Sequence, residues 1–404
     1  MMHKPLSGIR ILDLSRVLAG PWCTQLLADL GAEVIKIEKP GHGDDTRAWG
    51  PPFLEDKGAE SLSAYYISCN RNKKSVTIDM ACPDGADLIR QLAGKSDVII
   101  ENFKLGGLKK YGLDYDSVKK IRPDIIYCSI TGFGQDGPSA PKAGYDFMIQ
   151  GLCGLMSVTG EPAGMPQKDG VALVDVMTGM YSASSILAAL YARKSTGQGT
   201  YIDMALMDVG VAMMANQALN YLVSGQVPRR MGNAHPNIVP YQAFATRDGH
   251  VILAIGNDDQ FARFARACGQ PEWAQNDMFA TNEARVKNRG DVTGAIAVVM
   301  HQKTTAEWIA ILERENIPGG PINNMEEVFR DPQVVHRGIH FDLPDANGVM
   351  VPQVASPIHF DGKNLHNNTD TPPPHLGQHT DDVLKSILGC DAAAIKKLRD
   401  DKIV

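Results

Sequence analysis

Through the first half of the chain, short apolar runs alternate with longer stretches whose apolar residues recur every three to four positions. The runs are GIRILDLS (8–15), EVIKIE (33–38), SVTID (75–79), DVIIENF (97–103), DIIYCSI (124–130) and VALVD (171–175). Their length and their wealth of Ile and Val predict buried strands. Between them, PDGADLIRQLAG (83–94) has the helical period, and a helix is expected to open at Gly20-Pro21. Proline suits that place because the first N–H of a helix has no acceptor within it anyway. Apolar strands separated by amphipathic helices predict βαβ units, a mostly parallel sheet covered on both faces, and an α/β fold. Ligands bind such sheets in the loops beyond the carboxyl ends of the strands.

The texture changes near residue 225, where SGQVPRRMGN (224–233) reads as a linker. YQAFATRDGHVILAIG (241–256) carries a hairpin signal at Asp248-Gly249. DDQFARFARACG (258–269) and TTAEWIAILERENI (304–317) are helical patterns, the second opening on a Thr304…Glu307 capping box. NIPGGPIN (316–323) reads as a second linker. The expected organisation is a large domain over 1–225, a smaller inserted domain over 226–325, and a return to the first over 326–404. In that return, the three prolines of TPPPHLGQHT (371–380) exclude regular helix before a helical pattern at 381–389.

Composition narrows the chemistry. At 44% apolar and 21% charged, with a net charge of −6, the chain is an ordinary globular protein and not a nucleic-acid-binding polycation. No apolar run reaches the roughly 18 residues that would span a bilayer. The first residues enter a strand pattern at once, which leaves no room for a signal peptide and makes a cytoplasmic location the expectation. Seven cysteines, scattered and without CxxC spacing, predict neither a disulfide framework nor a zinc site.

Several motifs then need weighing. Gly132-Phe133-Gly134-Gln135-Asp136-Gly137 fits the GxGxxG pattern, but Pro138 and Pro141 follow where a dinucleotide site needs a helix to open. It reads as a glycine-rich turn at a strand end. The eleven histidines show no HExxH spacing, and there is no GxSxG elbow or Walker-type GK[ST]. No metal is expected. Basic residues recur after strand ends: Lys39, then Arg71, Lys73 and Lys74, then Lys104, Lys109 and Lys110. Together with the helix-opening turn Leu18-Ala19-Gly20-Pro21 they fit an anionic, phosphate-bearing ligand. The stretch GVALVDVMTGMYSA (170–183) sets Asp175 at the edge of an apolar run, with no further charge until Arg193. Aspartate before a helix is a favoured N-cap, worth about 1 kcal/mol against alanine. It is also a usable nucleophile, because a helix N-terminus favours its ionised form. The pattern leaves both roles open, and they are compatible.

The N-terminal stretch PLSGIRILDLSRVLAGPWCTQLLADLGAEVIKIEKPGHGDDTR resembles the signature of the class III (CaiB/BaiF) CoA-transferases, the formyl-CoA and carnitine-CoA transferase family. NRNKKSVTIDM, IIENFKLGGLKKYGLDY, IYCSITGFGQDGP, AGYDFM and PPPHLGQHT match in order, so the resemblance spans nearly the whole chain. AHPNIVPYQAF and GGPINNMEEVFRDPQVVHRG look most like the succinyl-CoA-dependent dicarboxylate transferases, which include succinate–hydroxymethylglutarate (glutarate) CoA-transferase. The resemblance implies a Rossmann-like large domain, a small domain and interlocked homodimers. It implies acyl-CoA and a carboxylic acid as substrates, no permanently bound cofactor, and neither nucleic acid nor membrane as partner. The family's nucleophile falls on Asp175, and its CoA-contacting positions fall on Val17, Leu18, Ala19, Lys39, Lys73, Asn102, Phe103 and Lys110. Tyr145 and Asp146 of AGYD, His235, and the loop beginning Gly256-Asn257 are the implied substrate and loop positions. Leu18 stands where formyl-CoA transferases carry glutamine, and the 256–260 loop is poorer in glycine, which both argue against oxalate and formyl-CoA as substrates.

The implied chemistry is attack of Asp175 on the donor thioester through an aspartyl–acyl anhydride and an aspartyl-CoA thioester. Water must be kept out, which gives the apolar neighbours of Asp175 a purpose. The alternative within the superfamily is an α-methylacyl-CoA racemase, whose base is the histidine of AGHD. Here Tyr145 stands in that place, and a phenol of ordinary pKa near 10 is a poor base at neutral pH. For the acceptor's distal carboxylate the candidates are Arg47 and His235, with a surface role the other reading of Arg47.

Overall fold

A computed structural model describes residues 4–55, 61–366 and 369–404. The chain divides into two compact units. The first takes in the chain up to Leu155, then Asp169–Leu219 and Pro332–Val404, and the second takes Met156–Lys168 and Asn220–Asp331. The second unit therefore draws in a segment, Met156–Lys168, from within the first half, which boundaries at 225 and 325 leave out.

In the first unit six strands form one sheet: β1 (Arg10–Asp13), β2 (Glu33–Glu38), β3 (Lys73–Thr77), β4 (Val98–Glu101), β5 (Ile126–Thr131) and β6 (Thr200–Ala205). They lie in the order β3-β2-β1-β4-β5-β6, every pairing parallel. This is the α/β sheet that the apolar runs predict. The chain builds outward from β1 to β3 and then returns to the other side of β1 with β4. At that reversal the loops after β1 and β4 diverge and leave a crevice.

Helices α1 (Ala19–Asp29), α2 (Pro83–Gly94), α3 (Asp146–Leu152) and α4 (Leu173–Thr196) complete the main part of this unit. VALVD is not a strand: α4 already begins at Leu173, and the sixth strand is TYIDMA. A run of four apolar residues suits a buried helix as well as a buried strand. Here it has a helical partner, since Val174, Ala183 and Ile186 share one core with Cys23 and Leu27 of α1. Contrary to the sequence expectation, α4 is long and apolar enough to cross a membrane by length and composition, with a hydropathy of 1.4. The Ser, Thr and Gly residues scattered through it obscure this in a search for continuous apolar runs. Its buried positions include Thr178 and Ser182, and it is a core helix of this unit.

In the second unit β7 (Tyr241–Ala245) and β8 (His250–Ala254) form the expected hairpin, and β9 (Gly319–Gly320) adds to β8. Helices α5 (Asp258–Ala267), α6 (Arg289–Met300) and α7 (Thr305–Arg314) bury Phe261, Ile296 and Trp308 against it. The Thr304/Glu307 capping box of α7 forms as its spacing predicts.

The C-terminal return brings α8 (Thr380–Leu388) and α9 (Ala392–Asp400) to the first unit. Val383, Leu384 and Ile395 fill the sheet face opposite α1, beside Ile35, Val76 and Ile99. Thr77 N donates to Thr380 Oγ1 (3.0 Å) and Asp79 N to Ile403 O (2.8 Å), which ties the end of β3 to this segment.

Candidate active site

A cavity of about 840 Å³ opens in the first unit at the β1/β4 reversal. Arg16–Ala19 line it from the loop after β1, Lys39 from the loop after β2, and Asn102–Leu105 and Lys110 from beyond β4. The loop after β5 contributes Gly132 and the segment Lys142–Tyr145. The Cβ that any other residue would place at Gly132 would lie 2.5 Å from Gly144 Cα, so two glycines are required where these backbones touch. The GxGxxG match is thus a close backbone contact at a strand end, and the next helix, α3, opens only at Asp146.

Asp175 lies on this cavity, only 9% exposed. It is the third residue of α4, and the N-cap position is Ala172, which has no capping side chain. The cap comes from Asp146: its Oδ1 accepts from Val174 N (2.9 Å) and Asp175 N (3.3 Å), and its Oδ2 from Gln150 Nε2 (2.7 Å). The capping role, one of the two readings left open for Asp175, therefore belongs to a residue 28 and 29 positions ahead of the helix amides it holds. Burial first, and then the charge of Asp146, push the Asp175 carboxyl from 3.8 up to about 7. The helix N-terminus favours its anion, but desolvation outweighs that field. Tyr65 feels the same charge: burial and then Asp175 push its phenol up to about 12, which keeps it a neutral donor. Asp146→Asn is expected to keep the cap, because an amide oxygen can accept the same N–H groups, and to bring the Asp175 titration below 7. Infrared spectra of the carboxyl group against pH would check this.

The structure gathers Val17, Leu18, Ala19, Lys39, Asn102, Phe103, Lys110 and Tyr145 around the cavity that holds Asp175. Lys73 is not among its lining residues. It is fully buried, and its ammonium donates to Pro21 O (2.9 Å) and Asn70 Oδ1 (3.0 Å) beside Asp13. Its neighbours are also engaged: Arg71 binds Asp29, and Lys74 binds Glu33 at 2.7 Å. The NRNKKS cations thus brace the fold and do not line the cavity. Arg47 is neither a surface residue nor an open cation. It is 5% exposed, grips Glu38 through Nε (2.9 Å) and Nη2 (2.8 Å), and lies over the Tyr66 ring at 3.9 Å.

The remaining expected positions lie in the second unit. His235 accepts from Asn237 N at Nδ1 (3.1 Å) and packs on Tyr241, and burial, then Arg289, lowers its pKa. Asn257 caps α5 by accepting from Gln260 N (2.9 Å), and Gly256 N donates to Gln260 Oε1 (2.7 Å). The expected glycine loop at 256–260 is therefore largely the first turn of a helix.

Sequence reasoning passed over Arg16 and Lys142, both cavity-lining cations. Arg16 follows the end of β1 as Lys39 follows β2, so the rule that found one finds the other. Of the lining carboxylates, Glu38 is paired with Arg47 and Asp44 with Lys36 (2.8 Å). Arg16 meets Asp45 at 3.4 Å, and with Glu38 and Asp44 already paired, Lys39, Lys110 and Lys142 leave this border of the cavity suited to a polyanionic ligand.

A six-stranded doubly wound sheet with a buried carboxylate and ligand-facing cations at its reversal matches a known class. The chain belongs to CoA-transferase family III, whose profile matches residues 6–380. Such enzymes use CoA thioesters as substrates, and this chain is accordingly a CoA-transferase. It is 50% identical to a succinate–glutarate CoA-transferase of Agrobacterium fabrum, over 95% of this chain and 96% of that one. It is 43% identical to a human succinyl-CoA:glutarate CoA-transferase, over 99% of this chain and 90% of the relative. Among solved structures it resembles a CaiB/BaiF family protein from Brucella suis, with a TM-score of 0.84, 49% identity, and coverage of 96% of this chain and 100% of that one.

Proposed function

We propose that the protein moves CoA from succinyl-CoA to a dicarboxylic acid through covalent intermediates on Asp175. The observation that carries the reading is the buried Asp175 carboxyl on a cation-lined cavity at the sheet reversal. The substrate names of its relatives support the choice of donor and of acceptor class. In the first step the Asp175 carboxylate attacks the thioester carbonyl, the C–S bond breaks, and CoA leaves as thiolate. The thiolate then attacks the aspartyl carbonyl of the mixed anhydride, releases succinate and leaves an aspartyl-CoA thioester. The acceptor carboxylate displaces CoA from that thioester, and the thiolate attacks the new acyl carbon and restores the carboxylate. Each step exchanges one activated acyl bond for another, so exclusion of water decides whether the energy is kept.

Lys39, Lys110, Arg16 and Lys142 are assigned to the phosphates of CoA, and the Val17–Ala19 and Asn102–Phe103 segments to its body. The neutral Tyr65 phenol, held near Asp175, is suited to donate to the oxyanions that form there. The attacking form is the carboxylate, so kcat/KM for succinyl-CoA is expected to rise with pH through an apparent pKa near 7 in the free enzyme. Incubation with succinyl-CoA followed by borohydride or hydroxylamine is expected to mark Asp175 and no other carboxylate, as read by peptide mass spectrometry. A panel of acids assayed with succinyl-CoA tests the acceptor class, and turnover confined to monocarboxylates would refute it. The reading includes a homodimer, which is supported by the exposure of large apolar side chains such as Tyr191 (80%) and Val223 (84%). Sedimentation at micromolar concentration checks it, with a monomer as the contrary result.

A further inference from the structure

Two fully buried charges beside the cavity have no part in this chemistry. Lys36 and Asp44 pair at 2.8 Å with both side chains at 0% exposure. A buried ion pair is weak evidence for stability, because apolar residues of similar volume often serve as well. What this pair touches is more informative. Ser15 N donates to Asp13 Oδ1 (2.9 Å), and Ser15 O accepts from Lys36 Nζ (2.9 Å). Arg16 N donates to Asn102 Oδ1 (2.9 Å), and Arg16 O accepts from Asn102 Nδ2 (2.7 Å). Val17 N donates to the two oxygens of Asp44 (3.2 and 3.3 Å). These successive backbone groups, from Ser15 N to Val17 N, are thus held by side chains rather than by a helix or sheet ladder. Val17 needs such a hold: its φ is +71°, a left-handed conformation that a β-branched side chain resists. The turn it makes sends the chain from β1 into α1, with Leu18 and Ala19 on the cavity.

We propose that Asp44 is a positioning residue for the acyl-CoA loop, pinning the Val17 amide in its left-handed turn as a hydrogen-bond acceptor, while Lys36 balances its buried charge. The proposal rests on the reading of the cavity as the CoA site. Asp44 itself is over-determined, accepting also from Thr46 N (3.0 Å) and Thr46 Oγ1 (2.9 Å), so the anchor cannot follow a drifting loop.

Two double variants separate position from stability. Lys36→Met with Asp44→Asn removes both charges and keeps an acceptor for Val17 N. Lys36→Met with Asp44→Leu removes the acceptor as well. Neither leaves a lone buried charge, and both lose the contact to Ser15 O, so they differ in the acceptor at residue 44 for Val17 N and Thr46, and exchange over 15–19 separates the Val17 contact from the Thr46 one. Succinyl-CoA binding by calorimetry, thermal unfolding, and amide exchange over residues 15–19 are the readouts. The asparagine variant is expected to bind within about threefold of the native protein, since an amide oxygen replaces the carboxylate as acceptor. The leucine variant is expected to bind about ten- to a hundredfold more weakly at a comparable Tm, with faster exchange over 15–19. Native binding by the leucine variant, equal losses in both, or failure of both to fold would overturn the proposal. If the native protein binds no CoA compound while exchange over 15–19 still quickens in the leucine double variant, the positioning stands and the CoA-site reading falls.

Discussion

Asp175→Asn is expected to lower CoA transfer by roughly 10⁴- to 10⁶-fold, the scale on which removal of a nucleophile acts. The fold should survive it and gain from it. In the folded chain the Asp175 carboxyl titrates at about 7 instead of 3.8, so the folded state holds a proton that the unfolded state has released. Stability is therefore lost as pH rises from about 4 to about 7, and the penalty stays constant above that range. The asparagine variant avoids the penalty and should be more stable than the native protein at pH 8, by at most about 4 kcal/mol, and no different at pH 3. Denaturant unfolding of both proteins at the two pH values checks the sign. Full transfer activity in the variant would end the covalent mechanism, while lost activity with no stability gain would count against the desolvated site.

The second large effect belongs to Arg47. Arg47→Met removes the cation partner of Glu38, which is 4% exposed and is then left with only neutral donors, Ser75 Oγ and Asp44 N, in direct contact. Breaking a buried pair by removing one partner costs about 3–5 kcal/mol. The expected phenotype is a much lower midpoint in thermal or denaturant unfolding, with the preference among acceptor acids unchanged in whatever folds. A variant of native stability that no longer prefers dicarboxylates would make Arg47 an acceptor contact after all. Arg47→Met with Glu38→Leu is expected to recover much of the stability.

The sheet was readable because its strands are buried on both faces, so β1, β2, β4 and β5 appear as short runs dominated by apolar residues. VALVD misled for the same reason: four apolar residues carry no period, and only the neighbouring helix α1 decides between strand and helix. β6 was missed because TYIDMA mixes Thr and Asp with its apolar residues. The cavity's outline was legible from the loops after the strands, where Val17, Lys39, Asn102 and Lys110 follow the ends of β1, β2 and β4. The charge pairs were not. Arg71, Lys73 and Arg47 each read as cations open to a ligand, yet their partners Asp29, Asp13 and Glu38 lie 42, 60 and 9 residues away. Local pattern sees the charge but not the counter-charge. The cap of α4 escaped on the same principle, because Asp146 reaches its helix from another loop.

The tie between β3 and the C-terminal segment bears on how the protein is made. β3 is made about 300 residues before Thr380, Val383 and Ile403, with which it packs. Until then the sheet face with Ile35, Val76 and Ile99 has Leu88, Ile89 and Leu92 of α2 over it but lacks Val383, Leu384 and Ile395. The nascent chain must carry that partly open apolar face through the synthesis of the whole second unit. Its first strands thus wait for part of their cover, and this is the interval in which a chaperone has something to hold.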